Sequence, residues 1–144
     1  MRRVVLESPY AGSVEENLKY ARACLRDCLL RGEAPIASHL LYTQPGILDD
    51  KIPEERQLGI EAGLAWGRLG EATVVYVDRG ISRGMKYGIE RAQKEGRPVE
   101  YHALYKVVCT FCGADASDEA AVQVREMQAD WYPCPKCVEL HEKN

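Results

Sequence analysis

Two cysteine pairs near the carboxyl end, Cys109-Thr110-Phe111-Cys112 and, 22 residues on, Cys134-Pro135-Lys136-Cys137, divide this chain into two units. C-x2-C repeated at such a distance is the ligand spacing of a structural zinc site. Each pair sits on a tight turn and offers two thiolates to one tetrahedral ion. Gly113 after the first pair, with Pro133 and Pro135 around the second, supplies the turn chemistry. Four thiolates fill the tetrahedron, so the expected Zn2+ is structural and leaves no open position for a catalytic water. Disulfides are the competing reading, but they belong to oxidising compartments. Met1-Arg2-Arg3 runs directly into a β-like stretch with no signal-peptide pattern, which points to a cytoplasmic protein with reduced thiols. The expected division is an α/β domain over residues 1–104 and a four-cysteine zinc ribbon over residues 105–144.

With 144 residues, the chain has room for one domain of about 100 residues and a small metal-held module. Apolar residues at 46% and charged residues at 28% are ordinary for a globular protein, and no apolar run approaches transmembrane length. A net charge of −3 argues against nucleic acid as a partner. Between Ala114 and Asp130 the ribbon carries Asp115, Asp118, Glu119, Glu126 and Asp130 against a lone Arg125, so it reads as structural or protein-contacting. No membrane partner is expected.

The first hundred residues alternate strand-like and helix-like patterns. Val4-Val5-Leu6 is a short apolar run that breaks into a loop at Glu7-Ser8-Pro9-Tyr10. Ser13 followed by Glu16 is a capping-box pattern that opens a helix with Leu18, Ala21, Cys24, Leu25, Cys28 and Leu29 at helical spacing, ending at Gly32. Cys24 and Cys28, four apart on that face, read as small buried hydrophobes rather than metal ligands. Pro35-Ile36-Ala37-Ser38 predicts a second strand, and His39 to Asp50 a long loop with a turn at Pro45-Gly46. Pro53, Glu54 and Glu55 open a second helix, with Trp66 on its apolar face as a core candidate, stopping at Gly70. Ala72-Thr73-Val74-Val75-Tyr76-Val77 has the continuous apolar character of a strand buried on both faces. A third helix from Ser82 to Gly96 and a strand over Pro98–Tyr101 complete the series.

The order β-α-β-α-β-α-β predicts a Rossmann-like or flavodoxin-like parallel sheet of about four to five strands with flanking helices. Ligands of such sheets bind at the carboxyl ends of the strands. Three stretches fall there: Ser8-Pro9-Tyr10-Ala11-Gly12, His39 to Asp50, and Asp78-Arg79-Gly80-Ile81-Ser82-Arg83-Gly84-Met85. The last joins a buried strand to a helix. Its glycines permit close backbone approach, and free N–H groups at the positive end of the helix suit a phosphate, with Ser82 adding a hydroxyl and Arg79 or Arg83 a charge. Gly and Ser also begin helices for purely conformational reasons, so the pattern alone leaves both readings open. His39 is a candidate general base or base-stacking group, with a structural histidine as the alternative.

The Ser8-Pro9-Tyr10 loop, Glu15-Glu16-Asn17, and Asp78-x-Gly80-x-Ser82-x-Gly84 followed by Tyr87 and Ala92 resemble the nucleoside 2-deoxyribosyltransferase-like superfamily. The stretch from Ser82 to Ala92 is closest to the deoxynucleoside 5′-monophosphate N-glycosidase branch, whose helix begins Ser-x-Gly-x-Gly-Tyr-Glu-x-Gly-Arg-Ala. The resemblance covers residues 3–101 and stops before the zinc module. It implies a nucleoside or nucleotide pocket, with Ser82 and Gly84 at a 5′-phosphate, Asp78 near sugar or base, and Tyr10 against the sugar. It also implies a homo-oligomer, dimer or higher, and a helix glutamate that attacks the anomeric carbon.

One departure bears on activity. Gly88 stands where the superfamily places that glutamate. Glu90 lies two residues on, about 200° around a helix, and faces elsewhere. Asp49, Asp50, Glu54, Glu55 and Glu61 are further acids within the chain. Three functions therefore remain: a glycosidase or deoxyribosyltransferase using Asp78, Tyr10 or Glu90, a nucleotide binder without the nucleophile, or a zinc-ribbon interaction module on an α/β scaffold. The pairing of modules suits a small accessory protein of a bacterium or its virus. Because a small metal-held module takes much of its stability from the ion, a strong chelator is expected to unfold residues 105–144 selectively, as followed by limited proteolysis. Persistence of the module after rigorous metal removal would contradict a zinc ribbon.

Overall fold

The computed structural model describes residues 1–104, and the four ribbon cysteines lie outside the described residues. Strands β1 (Arg2–Glu7), β2 (Glu33–Ile36), β3 (Ala72–Tyr76) and β4 (Val99–His102) alternate with helices α1 (Val14–Leu30), α2 (Ser38–Leu41), α3 (Pro53–Gly67) and α4 (Arg83–Lys94). All pairings are parallel and the sheet order is β2-β1-β3-β4. The expected α/β class, strand number and all-parallel pairing are what the structure contains among the described residues. Among the described residues, no helix is long and apolar enough to cross a membrane.

The pleat of the two central strands sorts the core into two layers. Val4 and Leu6 of β1 and Ala72, Val74 and Tyr76 of β3 face α1, where they meet Tyr20, Cys24 and Cys28. Val75 and Val77 face the other way, onto Met85 and Ile89 of α4. Every residue of β3 is buried, as its unbroken apolar run requires. Cys24 and Cys28 are free, buried thiols, as the sequence indicates. Burial pushes the Cys28 thiol up to about 11, so it is inert at neutral pH. Its sulfur lies 3.4 Å from the Tyr76 hydroxyl, which donates to Asp27 at 2.6 Å.

Several local expectations change. The segment after β2 is not all loop, because Ser38–Leu41 forms α2 with its N-cap at Ala37. Ser13 occupies the N-cap of α1 but makes no side-chain cap bond, so the capping box is not formed there. Leu29 is half exposed, and Trp66 is 55% exposed rather than in the core.

The reason for Trp66 is the inner face of α3. Gly59, Gly63 and Gly67 recur every four residues and so share one face of the helix. A Cβ on Gly63 would fall 2.6 Å from Ser38 Oγ and 2.7 Å from Ser38 Cβ, and one on Gly67 would touch Val5 of β1 at 3.7 Å. The helix thus approaches α2 and β1 through its smallest residues, which leaves Leu58 and Trp66 outward. Gly63→Ala is expected to lower stability by about 1–2 kcal/mol through overpacking against Ser38. Trp66→Ala should change stability by less than about 0.5 kcal/mol, as for other surface positions. Denaturant midpoints of the two variants test this inversion of the usual large-hydrophobe rule.

Candidate functional site

The strand order generates the crevice. From β1 the chain runs through α1 to β2 on one side, then returns through α2 and α3 to β3 on the other. The carboxyl ends of β1 and β3 are therefore neighbours from which the connections diverge, the position at which doubly wound sheets accept ligands. A separate shallow cleft, lined by Gly70, Glu71, Glu95, Gly96, Arg97 and Pro98 among others, lies at the amino ends of β3 and β4, away from these loops.

The loop after β1 is held firmly. Ser8 is buried and its Oγ lies 2.7 Å from His39 Nε2, which ties this loop to α2. Burial lowers the His39 imidazole to about 4, so the ring is neutral at physiological pH. Pro9 is buried and Tyr10 partly so. The buried side-chain amide of Asn17 donates to the carbonyls of Tyr10 and Ala11, each at 3.0 Å, and its Oδ1 accepts from Arg79 Nε at 3.1 Å. Gly12 turns the exposed end of the loop with a φ of 95°. Asn17 thereby joins the loop after β1 to the loop after β3.

The loop after β3 has two parts. Asp78 is an anchor: its carboxylate accepts from the Tyr20 hydroxyl at 2.6 Å and from the Leu104 N–H at 3.0 and 3.1 Å, and its own N–H donates to Tyr20 at 3.0 Å. These bonds fasten β3 to α1 and to the segment after β4. Gly80, with a φ of 79°, makes the turn. Ser82 is the N-cap of α4, accepting from Met85 N–H at 3.3 Å, and Met85 is buried beneath it. Arg83 and Gly84 are exposed, and nothing lies within 4 Å of where a Gly84 Cβ would sit. The amino end of α4 is therefore open above its first turn. Glu90 is exposed on α4. Asp49 and Asp50 engage in local surface bonds with Lys51, Glu55 and Arg56.

Glu7 is the site residue that the sequence pattern obscures. It reads as the start of a loop, yet it is the last residue of β1, paired with Val75. Alternation puts it on the face of Val5, opposite Leu6, and turns it toward α4. An ideal Cβ on Gly88 would fall 2.5 Å from Glu7 Cδ and nearer still to Oε1, so the carboxylate fills the space above this glycine. Desolvation raises Glu7 to about 8, with the Arg97 charge opposing the shift. The available signal was the period: a glutamate at the i+2 position from Val5 on a central strand. Among the described residues, no group of three or more His, Cys, Asp or Glu is placed to hold a metal ion.

Residues 2–102 match a family model described as a domain of unknown function (DUF7768). The chain belongs to that family. No curated protein matched the sequence. Among solved structures, this DUF7768 member is similar to a 2-deoxyribosyltransferase from the psychrotolerant bacterium Bacillus psychrosaccharolyticus, at 17% identity and a TM-score of 0.51, over 70% of this chain and 72% of that one. Two further likenesses are a 2-desoxiribosyltransferase from Leishmania mexicana (9% identity, TM-score 0.48, 98% and 96% covered) and a conserved protein from Enterococcus faecalis V583 (16%, 0.48, 100% and 88%). At these identities the first is a likeness of fold, the deoxyribosyltransferase-like α/β architecture.

The raised affinity of Glu7 for its proton has a definite sign. Its folded-state value of about 8 exceeds the ordinary 4.5, so the protonated form stabilises the fold below pH 4.5, and that contribution is lost as pH rises through about 8. Glu7→Gln is expected to remove this loss, gaining on the order of 3 kcal/mol relative to the parent at about pH 8.5 and little at about pH 4.5. Urea unfolding at the two pH values measures it. Equal effects at both would mean that Glu7 is not desolvated.

Proposed function

We propose that this chain binds a nucleoside or nucleoside 5′-monophosphate in the crevice at the ends of β1 and β3, and cleaves or transfers its N-glycosidic bond. The observation that carries the reading is the convergence of the Ser8–Gly12 loop and the Asp78–Gly84 loop at the reversal of strand order, braced through Asn17 and Arg79. The likeness to a 2-deoxyribosyltransferase fold and the motif resemblance over residues 3–101 favour a nucleoside as the ligand class.

In this reading the first turn of α4 receives the phosphate. Ser82 Oγ accepts from the Met85 N–H and keeps its own O–H to donate, so the free donors are that hydroxyl and the backbone N–H groups at Arg83 and Gly84, aided by the helix dipole and the Arg83 charge. Tyr10 lies against the sugar, and neutral His39, held by Ser8, lines the wall without bringing a charge. Asp78 acts through position, setting the loop by its bonds to Tyr20 and Leu104. The chain works as a homo-oligomer, and its Cys109, Cys112, Cys134 and Cys137 hold one structural Zn2+. A binder that retains ligand without turnover is the second reading, favoured by the absence of a side chain at Gly88.

Incubation of the full chain with pooled nucleosides, deoxynucleosides and their 5′-monophosphates, read by mass spectrometry, tests the proposal. Free base should accumulate, with 5′-monophosphates preferred. Arg83→Ala should narrow that preference by roughly tenfold, as expected for the loss of about 1.4 kcal/mol from one charge-assisted contact. Retention of an intact nucleotide with no base release would instead select the binder. Absence of both release and retention would remove the nucleotide reading.

A further inference from the structure

The carboxylates of the crevice are not equivalent. Asp78 is committed to Tyr20 and the Leu104 N–H. Glu7 has no comparable engagement: the described residues give its carboxylate no hydrogen-bond donor, and the charge acting on it is Arg97, whose side chain is itself bound to Thr73 Oγ1 at 2.9 Å and to Glu95 at 2.7 Å. A partly buried glutamate without donors is costly to ionise, and a purely structural position would be better served by an apolar residue. The helix opposite makes room for it. Any side chain at Gly88 would occupy the place of the Glu7 carboxyl group, so the strand residue and the glycine are sterically matched. Such a cost at the mouth of a crevice is characteristic of a group kept for a ligand.

We propose that Glu7, projecting from β1 over Gly88, is the catalytic carboxylate of this site and attacks the anomeric carbon of the bound nucleoside. This rests on the nucleoside reading above. Glu7 reacts in its ionised form, having given its proton to solvent: one carboxylate oxygen forms a bond to C1′ while the C1′–N bond breaks, and the electron pair of that bond leaves with the base, which takes a proton from solvent. Water then adds to C1′, the ester bond breaks, and the free sugar, the Glu7 carboxylate and a proton are released. A second base in place of water gives transfer. Gly88 contributes by absence, leaving the carboxylate room to reach the sugar.

The test uses the full chain with 2′-deoxynucleoside 5′-monophosphates, measuring base release by chromatography, nucleotide binding by calorimetry, and folding by circular dichroism. Glu7→Gln should bind nucleotide within about threefold of the parent and lose base release by about 10³-fold or more. Gly88→Ala should keep the fold while displacing the carboxylate and lowering base release by at least about tenfold. A 2-fluoro-2-deoxy substrate analogue should leave a glycosyl mass on the peptide containing Glu7. Base release by folded Glu7→Gln within about threefold of the parent overturns the assignment and leaves the nucleotide reading standing. A parent protein that binds nucleotide without releasing base overturns the assignment and selects the binder. A parent that neither binds nor cleaves overturns both.

Discussion

The parallel pairing of β1 with β3 is the constraint on which the rest of this structure depends. Its register sets Glu7 beside Val75, and it places two strands side by side whose connections leave in opposite directions. A crevice at their carboxyl ends follows from topology before any side chain is considered. The same pairing fixes the pleat, so that Val4, Leu6, Val74 and Tyr76 commit one face to α1 while Val5, Val75 and Val77 commit the other to α3 and α4. A one-residue slip would exchange these two sets and bury Glu7 against α1.

Around that frame the polar bonds divide into those that build and those left open. Tyr20, Asp78 and Leu104 close a ring of hydrogen bonds linking α1, β3 and the chain after β4. Asn17 and Arg79 connect the two loops, and Ser8 with His39 secures the near wall. These groups have committed their hydrogen-bonding capacity to geometry. The carboxyl group of Glu7 and the exposed first turn of α4 have not.

Much of the architecture was legible in sequence. The uninterrupted Ala72–Val77 run announced a strand buried on both faces, and the regular alternation announced a parallel sheet. Helix ends were legible where proline or a capping serine marks them, as at Pro53 and Ser82. What escaped the pattern did so for physical reasons. Ser13 sits at an N-cap, but the Gly12 turn already orders the chain there and its side chain makes no cap bond. Trp66 belongs by size in a core, yet α3 packs through glycine, and hydrophobic periodicity does not register a face made of hydrogen atoms. Glu7 looked like the beginning of a loop because its charge ended an apolar run. Only the pleat, and the vacancy at Gly88, reveal it as a strand residue facing a helix. The cysteine pairs, the strongest motif in the chain, lie outside the described residues.

The glycine face of α3 also bears on how the protein can change over time. Its inner surface has no slack at position 63, where even a methyl group collides with Ser38, while Gly59 and Gly67 leave a methyl group in ordinary contact. Its outer surface, carrying Leu58 and Trp66, stands more than half exposed. Tolerance to substitution along this helix should therefore run against hydrophobicity at its extremes, with Gly63 the most restricted and the exposed Leu58 and Trp66 the freest to drift. Selection can alter what the outer surface meets, a copy of itself or another molecule, without disturbing the sheet behind it.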